Sequence, residues 1–148
     1  MRTVSIEILE SRIAPAFGAV VDLSGLAGVD GTAIAGADED SSLGAAVRSA
    51  GDVNGDGIAD FIVGAPFVSR GAMFDVGGAY VVFGKSGGLG ASVSVSDLDG
   101  TDGFRIEGIA EDDRAGFSVS GAGDFNGDGF DDVIVGSPNF NGAAGELA

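Results

Sequence analysis

The chain has 148 residues, 28 of them glycine, and no cysteine, histidine or tryptophan; its 23 acids against 7 bases give a formal charge of −16. The length suits one small domain or two repeat units. The missing residue types exclude a Ser-His-Asp triad, a thiol nucleophile, the usual zinc sites and any disulfide framework, and the acidity excludes nucleic acid or anionic membranes, whose phosphates need a basic face.

That acidity favours cations instead. With 45% hydrophobic residues the chain is too apolar for a disordered acidic segment. Its apolar runs fall far short of the roughly 18 residues that span a bilayer, so membrane insertion is not expected. Abundant glycine with only three prolines suits tight turns between short strands and predicts an all-β protein.

Residues 1–16 form a separate N-terminal piece. Ala14-Pro15-Ala16 resembles an export cleavage site, but Glu7, Glu10 and Arg12 interrupt any apolar core of a signal peptide. The segment reads either as a leader, similar to the Leu-Glu-x-Arg start of some large bacterial surface proteins, or as a first strand over Val4 to Leu9. Next, Val20 to Leu23 is an expected outer strand.

Ala45 to Ser49 is a strand leading into a Gly/Asp/Asn cluster, and Ile58 to Val63 a β-branched and aromatic strand leading out of it. Ala79 to Phe83 is a third strand. Val93, Val95 and Leu98 alternate as the expected fourth. Phe117 to Ser120 and Phe130 to Val135 then repeat the first pair around a second cluster.

The repetition extends well beyond those strands. A shift of 72 positions lays residues 17–76 on 89–148 without a gap, and 27 of the 60 aligned positions are identical. Ala-Gly-Asp-x-Asn-Gly-Asp-Gly-x-x-Asp-x-Ile-Val-Gly-x-Pro stands at 50–66 and again at 122–138. The chain is a tandem repeat, with units at 17–88 and 89–148. The second unit reaches Ala148, the partner of Val76, before a counterpart of the strand-like run Gly77 to Gly84, which predicts a partial chain. Four short antiparallel strands per unit is the pattern of a β-propeller blade, about two blades being present.

Within each unit the acidic loop carries the chemistry. Asp52, Asn54, Asp56 and Asp60 occupy positions 1, 3, 5 and 9, with Gly57 at position 6. Asp124, Asn126, Asp128 and Asp132, with Gly129, reproduce that spacing. Hard oxygen ligands at alternate positions of a tight turn suit Ca²⁺, which takes six to eight oxygens at roughly 2.3–2.6 Å. The backbone carbonyls of Ile58 and Phe130, at position 7, would add one ligand each. An EF-hand needs a bidentate acid at position 12 and flanking helices; position 12 here is Val63 or Val135, inside an expected strand. About two Ca²⁺ sites are therefore expected, of structural purpose. No carboxylate is set apart as a proton donor, so a glycosidase pair is not assigned. Arg48, Arg70, Arg105 and Arg114 are expected to be solvated or paired with acids. Asp38-Glu39-Asp40 and Glu111-Asp112-Asp113 recur as a blade-connecting loop.

These residues resemble FG-GAP repeats, the blades of integrin α-subunit propellers and of many bacterial secreted proteins. The resemblance covers 17–148 and rests chiefly on the acidic loop followed by Gly64-Ala65-Pro66 or Gly136-Ser137-Pro138. The leading Phe-Gly of the family is Leu43-Gly44 in one unit and Ala115-Gly116 in the other, with Phe117 expected to fill part of the space of the lost Phe. The resemblance implies calcium loops on one rim of a seven-bladed ring and ligand binding by other loops. It implies a non-enzymatic, calcium-binding module of a secreted or cell-surface protein, serving adhesion to an extracellular protein or glycan. Further blades of a longer chain, or self-association, are the expected structural partners. The alternatives are an accessory module of a secreted hydrolase and a purely structural surface repeat.

Overall fold

The computed structural model describes residues 3–6, 31–36 and 40–140. Its strands are β1 (Thr3–Ile6), β2 (Thr32–Ala35), β3 (Ala46–Gly51), β4 (Asp60–Ala65), β5 (Gly78–Val82), β6 (Ser92–Ser94), β7 (Gly103–Glu107), β8 (Ser118–Gly123) and β9 (Asp132–Gly136). A single 3₁₀ turn, Val95–Asp97, follows β6, and no α-helix occurs among the described residues.

The strands form three sheets. β3-β4-β5-β7 is a four-stranded antiparallel sheet, β8-β9 a hairpin, and β1-β2-β6 a sheet in which β2 pairs antiparallel with β1 and parallel with β6. The four-stranded sheet lies between the other two, and the period-2 alternation of its central strands shows why. On β4, Phe61, Val63 and Ala65 face the cluster built with Ile34 of β2, Leu43 and Val95. Ile62, between them, faces Val119, Val133 and Val135 of the hairpin. On β5, Tyr80 joins the first cluster, while Ala79 and Val81 join the second. Strands covered on both faces need continuous apolar runs, which is what Phe61-Ile62-Val63 and Tyr80-Val81-Val82 supply. Each fully buried Ile or Val here, such as Ile62, Val63 and Val81, contributes roughly 1.5–3 kcal/mol of burial free energy.

The fourth strand of the central sheet differs from expectation. It is β7, paired with β5 from Gly78↔Glu107 to Val82↔Gly103, rather than the Val93–Leu98 segment. The Val93/Val95 alternation is real, but those side chains pack on the opposite face, where β6 belongs to the β1-β2-β6 sheet. In β7 the charged Arg105 and Glu107 are exposed and alternate with half-buried Phe104 and Ile106, the composition of a charged edge strand. By the 72-residue shift β7 is the copy of β2. The sequence repeat and the sheets are thus out of phase, because a strand from the second repeat completes the sheet begun by the first.

The expected strand at Val20 to Leu23 lies outside the described residues. Leu43 is buried as the counterpart of the family Phe. Phe117 does not fill the equivalent space in the second unit: it is 56% exposed, and buried Ala115 occupies the position instead. Backbone approach explains that exchange. Ala115 forms a parallel bridge with Gly77, and a Cβ on Gly116 would lie 2.0 Å from the Gly78 carbonyl oxygen.

Candidate metal centre

Both acidic loops open at the same irregularity. The β3–β4 ladder shifts register between Ser49 and Gly51, and the β8–β9 ladder between Gly121 and Gly123. Gly51 and Gly123 take positive φ, +83° and +66°, which only glycine adopts freely. Such a bulge turns the next residue, Asp52 or Asp124, out of the ladder and into the loop.

The loop then winds around that first carboxylate. Asp52 Oδ1 accepts the N–H groups of Gly55 and Asp56 at 2.8 and 3.0 Å, and Oδ2 accepts that of Gly57 at 2.8 Å. Asp124 receives Gly127, Asp128 and Gly129 in the same way, at 2.7, 3.0 and 3.0 Å. Asn54 Oδ1 accepts the Asp56 N–H and Asp56 Oδ1 the Ile58 N–H; Asn126 and Asp128 repeat both bonds. The sequence-derived positions 1, 3, 5 and 7 are therefore tied together in both loops by one wiring scheme.

Position 9 closes each loop differently. Asp60 is almost fully buried and accepts N–H groups from Val53 and Gly84, both at 2.8 Å. Burial pushes its carboxyl above the ordinary carboxylate value; the two N–H bonds pull it down, and the Asp56 and Asp52 charges add to the upward push. Asp132 is less buried and accepts from Phe125 and Asn126 N–H at 2.9 and 3.2 Å.

No group of three or more acids stands close enough to enclose an ion among the described residues. The donor chemistry nevertheless fits a hard cation. Each carboxylate has about four acceptor positions, so those bound to N–H groups keep capacity for a metal. The amide of Asn126 also draws positions 5 and 9 together, its Nδ2 lying 3.0 Å from Asp128 Oδ2 and 3.4 Å from Asp132 Oδ1. An electropositive group between two carboxylates is the role a cation would take. In the first loop Asn54 Nδ2 reaches Asp56 Oδ2 alone, at 3.1 Å.

Three further residues make contacts that the loop spacing does not reveal. Asp131 bonds to the backbone of Asp52 in the other loop. Gly84 caps Asp60 from beyond β5. Asp113 is buried in the turn between β7 and β8, where its Oδ2 accepts Ile109 and Ala110 N–H groups. For Asp131 the signal was available: its copy in the first unit is Ala59, an unforced departure from the repeat. The arginines are bonded much as expected. Arg70 and Arg105 meet Glu107 at 3.2 and 3.0 Å beside a cavity also lined by Tyr80 and Val95. Arg114 lies over the Phe67 ring, 5.6 Å from its centroid, and Arg48 donates to the Val47 carbonyl.

Two bulged hairpins with one wiring scheme, each followed by Gly-x-Pro, mark a repeated unit, and the model of the FG-GAP repeat matches residues 44–82 and 115–148. These are FG-GAP repeats. The antiparallel β3-β4-β5-β7 sheet is accordingly a β-propeller blade, and the β8-β9 hairpin is part of the next. Phosphatidylinositol-glycan-specific phospholipase D of Rattus norvegicus is 37% identical over 93 residues, 63% of this chain and 11% of that protein. Integrin alpha-7 of Rattus norvegicus is 38% identical over 87 residues, 59% of this chain and 7% of that protein. The FG-GAP chain therefore spans about a tenth, or less, of the length of these relatives. Among its described residues no helix is long and apolar enough to cross a membrane.

Proposed function

We propose that this FG-GAP chain is a calcium-stabilised, non-catalytic module of a secreted or cell-surface protein, acting in adhesion or in binding an extracellular protein or glycan. The observation that carries the calcium reading is the duplicated loop. Two copies separated by 72 residues keep an oxygen-only donor set and the same side-chain-to-backbone bonds while their other residues diverge. Asp52, Asn54, Asp56, Asp60 and the Ile58 carbonyl would hold one ion. Asp124, Asn126, Asp128, Asp132 and the Phe130 carbonyl would hold the other. Each ion would neutralise three carboxylates confined to one turn, and binding to the folded chain alone would raise stability by mass action.

Calorimetric titration of Ca²⁺ into chelator-treated protein tests this reading, with Mg²⁺ as control. The expected result is two Ca²⁺ per chain, one lost in Asp56→Ala, one in Asp128→Ala and both in the double variant. Heat from Mg²⁺ should be weaker, because that ion keeps its waters and prefers few carboxylates. A folded wild-type chain giving no Ca²⁺ heat would reduce both loops to hairpin turns.

The likeness to a stretch of a phospholipase D favours a second reading, an accessory module beside a catalytic domain. A catalytic domain encoded in the same gene supports that reading; a gene of further repeats alone supports adhesion.

A further inference from the structure

The two loops meet at two consecutive residues of the second. Phe130 and Asp131 are positions 7 and 8 of the second loop. The Asp131 N–H donates to the Asp52 carbonyl at 3.0 Å, and the Asp52 N–H donates to Asp131 Oδ2 at 2.8 Å. Asp131 thus holds both backbone polar groups of Asp52, the residue around which the first loop winds. The contact is close as well as polar: a Cβ on Gly51 would lie 2.1 Å from Asp131 Oδ2, and one on Gly55 would lie 2.6 Å from Cε1 of Phe130.

We propose that Asp131 is a positioning residue for the first loop and that this clasp couples the cation affinities of the two loops. The proposal rests on the calcium reading above. Its physical basis is the planarity of the Phe130–Asp131 peptide. The carbonyl of that peptide belongs to Phe130, a donor to the ion of the second loop. Its N–H belongs to Asp131 and points at Asp52. An ion that orients and polarises the carbonyl therefore fixes and strengthens the N–H···O bond to the first loop. The Asp131 carboxylate, held in the same arrangement, restrains the Asp52 N–H. The first loop then pays less ordering cost when its own ion binds, and by linkage the effect is reciprocal.

The test is Ca²⁺ calorimetry on the full 148-residue chain. Asp128→Ala reports the first loop alone and Asp56→Ala the second alone. The ratio of the wild-type two-ion binding constant to the product of those two is the coupling factor. It is expected to be about fivefold or more in the wild type, at the lower end of measured couplings. It should fall measurably toward one when Asp131→Ala is placed in all three backgrounds, since that change removes the carboxylate's hold on the Asp52 N–H and leaves the backbone bond to the Asp52 carbonyl. Asp131→Asn also keeps an acceptor oxygen for the Asp52 N–H, so it should retain more of the coupling than Asp131→Ala.

A second readout separates coupling from loosened packing. In Asp56→Ala, whose first loop is disabled, Ca²⁺ should still shift the amide resonances of Asp52 and Gly55, and adding Asp131→Ala should reduce that shift, most of all at the Asp52 amide that the carboxylate accepts from. Val119→Ala, which weakens the apolar contact between the same two sheets, should leave the coupling in place. A wild-type factor of one, or a factor unchanged in Asp131→Ala, overturns the clasp while leaving two calcium sites intact. Absence of Ca²⁺ heat in the wild type overturns the calcium reading, and the clasp proposal falls with it.

Discussion

Within this chain the first loop is held by Phe130 and Asp131 of the second, although the residues proposed to hold an ion are the same in both. Asp131 and Phe130 press on Gly51 and Gly55 of the first loop, whereas a Cβ at the matching Gly123 or Gly127 would meet nothing within 4 Å among the described residues. The position-9 carboxylates also differ within the chain: Gly84 caps Asp60 from beyond β5, whereas the donors to Asp132 come from its own loop, the counterpart of Gly84 by the 72-residue shift falling past residue 148. Local wiring is therefore a property of the loop sequence, while rigidity is a property of what the neighbouring strands bring to it. Within this 148-residue chain, two loops that look interchangeable in sequence should therefore differ in stability and in response to substitution.

Gly51→Ala against Gly123→Ala is the sharpest way to break that comparison. Both glycines sit at positive φ, so each substitution carries a left-handed backbone cost of roughly 1–2 kcal/mol. At Gly51 the methyl also collides with the Asp131 carboxylate, and displacing the clasp should add about 2 kcal/mol. Urea denaturation in chelator should show the larger loss for Gly51→Ala by that margin. Equal losses would mean that the clasp yields freely and that the two loops are energetically alike.

Asp60→Ala against Asp132→Ala comes next in size. Removing the buried Asp60 carboxylate leaves the Val53 and Gly84 N–H groups without their acceptor, a cost of about 1–3 kcal/mol even with no cation present. Around Asp132 the donors Phe125 and Asn126 are exposed, so water replaces the carboxylate and the loss should stay below about 1 kcal/mol. The same denaturation series in chelator measures both. A comparable loss at the two positions would show that burial does not set their difference.

Much of this architecture was legible because the repeat made local signals redundant. The acidic loop, its flanking strands and the Tyr80 strand could be read from turn chemistry and β-branched runs. β7 could not, because Phe104-Arg105-Ile106-Glu107 carries two charges and only half-buries its apolar side chains, while the Val93/Val95 alternation nearby was the stronger pattern. Alternation reports that one face is covered without saying which sheet covers it, so Val93 and Val95 were placed in the wrong layer. In the loops, spacing alone points to positions 1, 3, 5, 7 and 9, and the side-chain-to-backbone bonds at those positions repeat in both copies. Asp131 and Gly84 act across the fold, Asp131 on a residue 79 positions away, and periodicity carries no information about such contacts.

The smallest expected effect tests the aromatic half of the clasp. Phe130 is half-exposed with its ring against Gly55, whereas Phe125, in the same loop, is 86% exposed. Phe130→Ala should cost about 1 kcal/mol, a fraction of the 3–5 kcal/mol typical of a fully buried Phe, because water already reaches much of the ring. Phe125→Ala should fall within about 0.5 kcal/mol of the wild type, as exposed substitutions usually do. Phe130→Ile, which imports the residue of the first loop at Ile58, should recover part of the loss, since the backbone carbonyl and the Asp131 bonds are untouched. Chelator-treated protein is the right background for all three, because it separates ring packing on Gly55 from any contribution of the Phe130 carbonyl to cation binding. If Phe130→Ala and Phe125→Ala proved equal, the ring would be only a neighbour of Gly55, and the clasp would reside wholly in the two hydrogen bonds between Asp131 and Asp52.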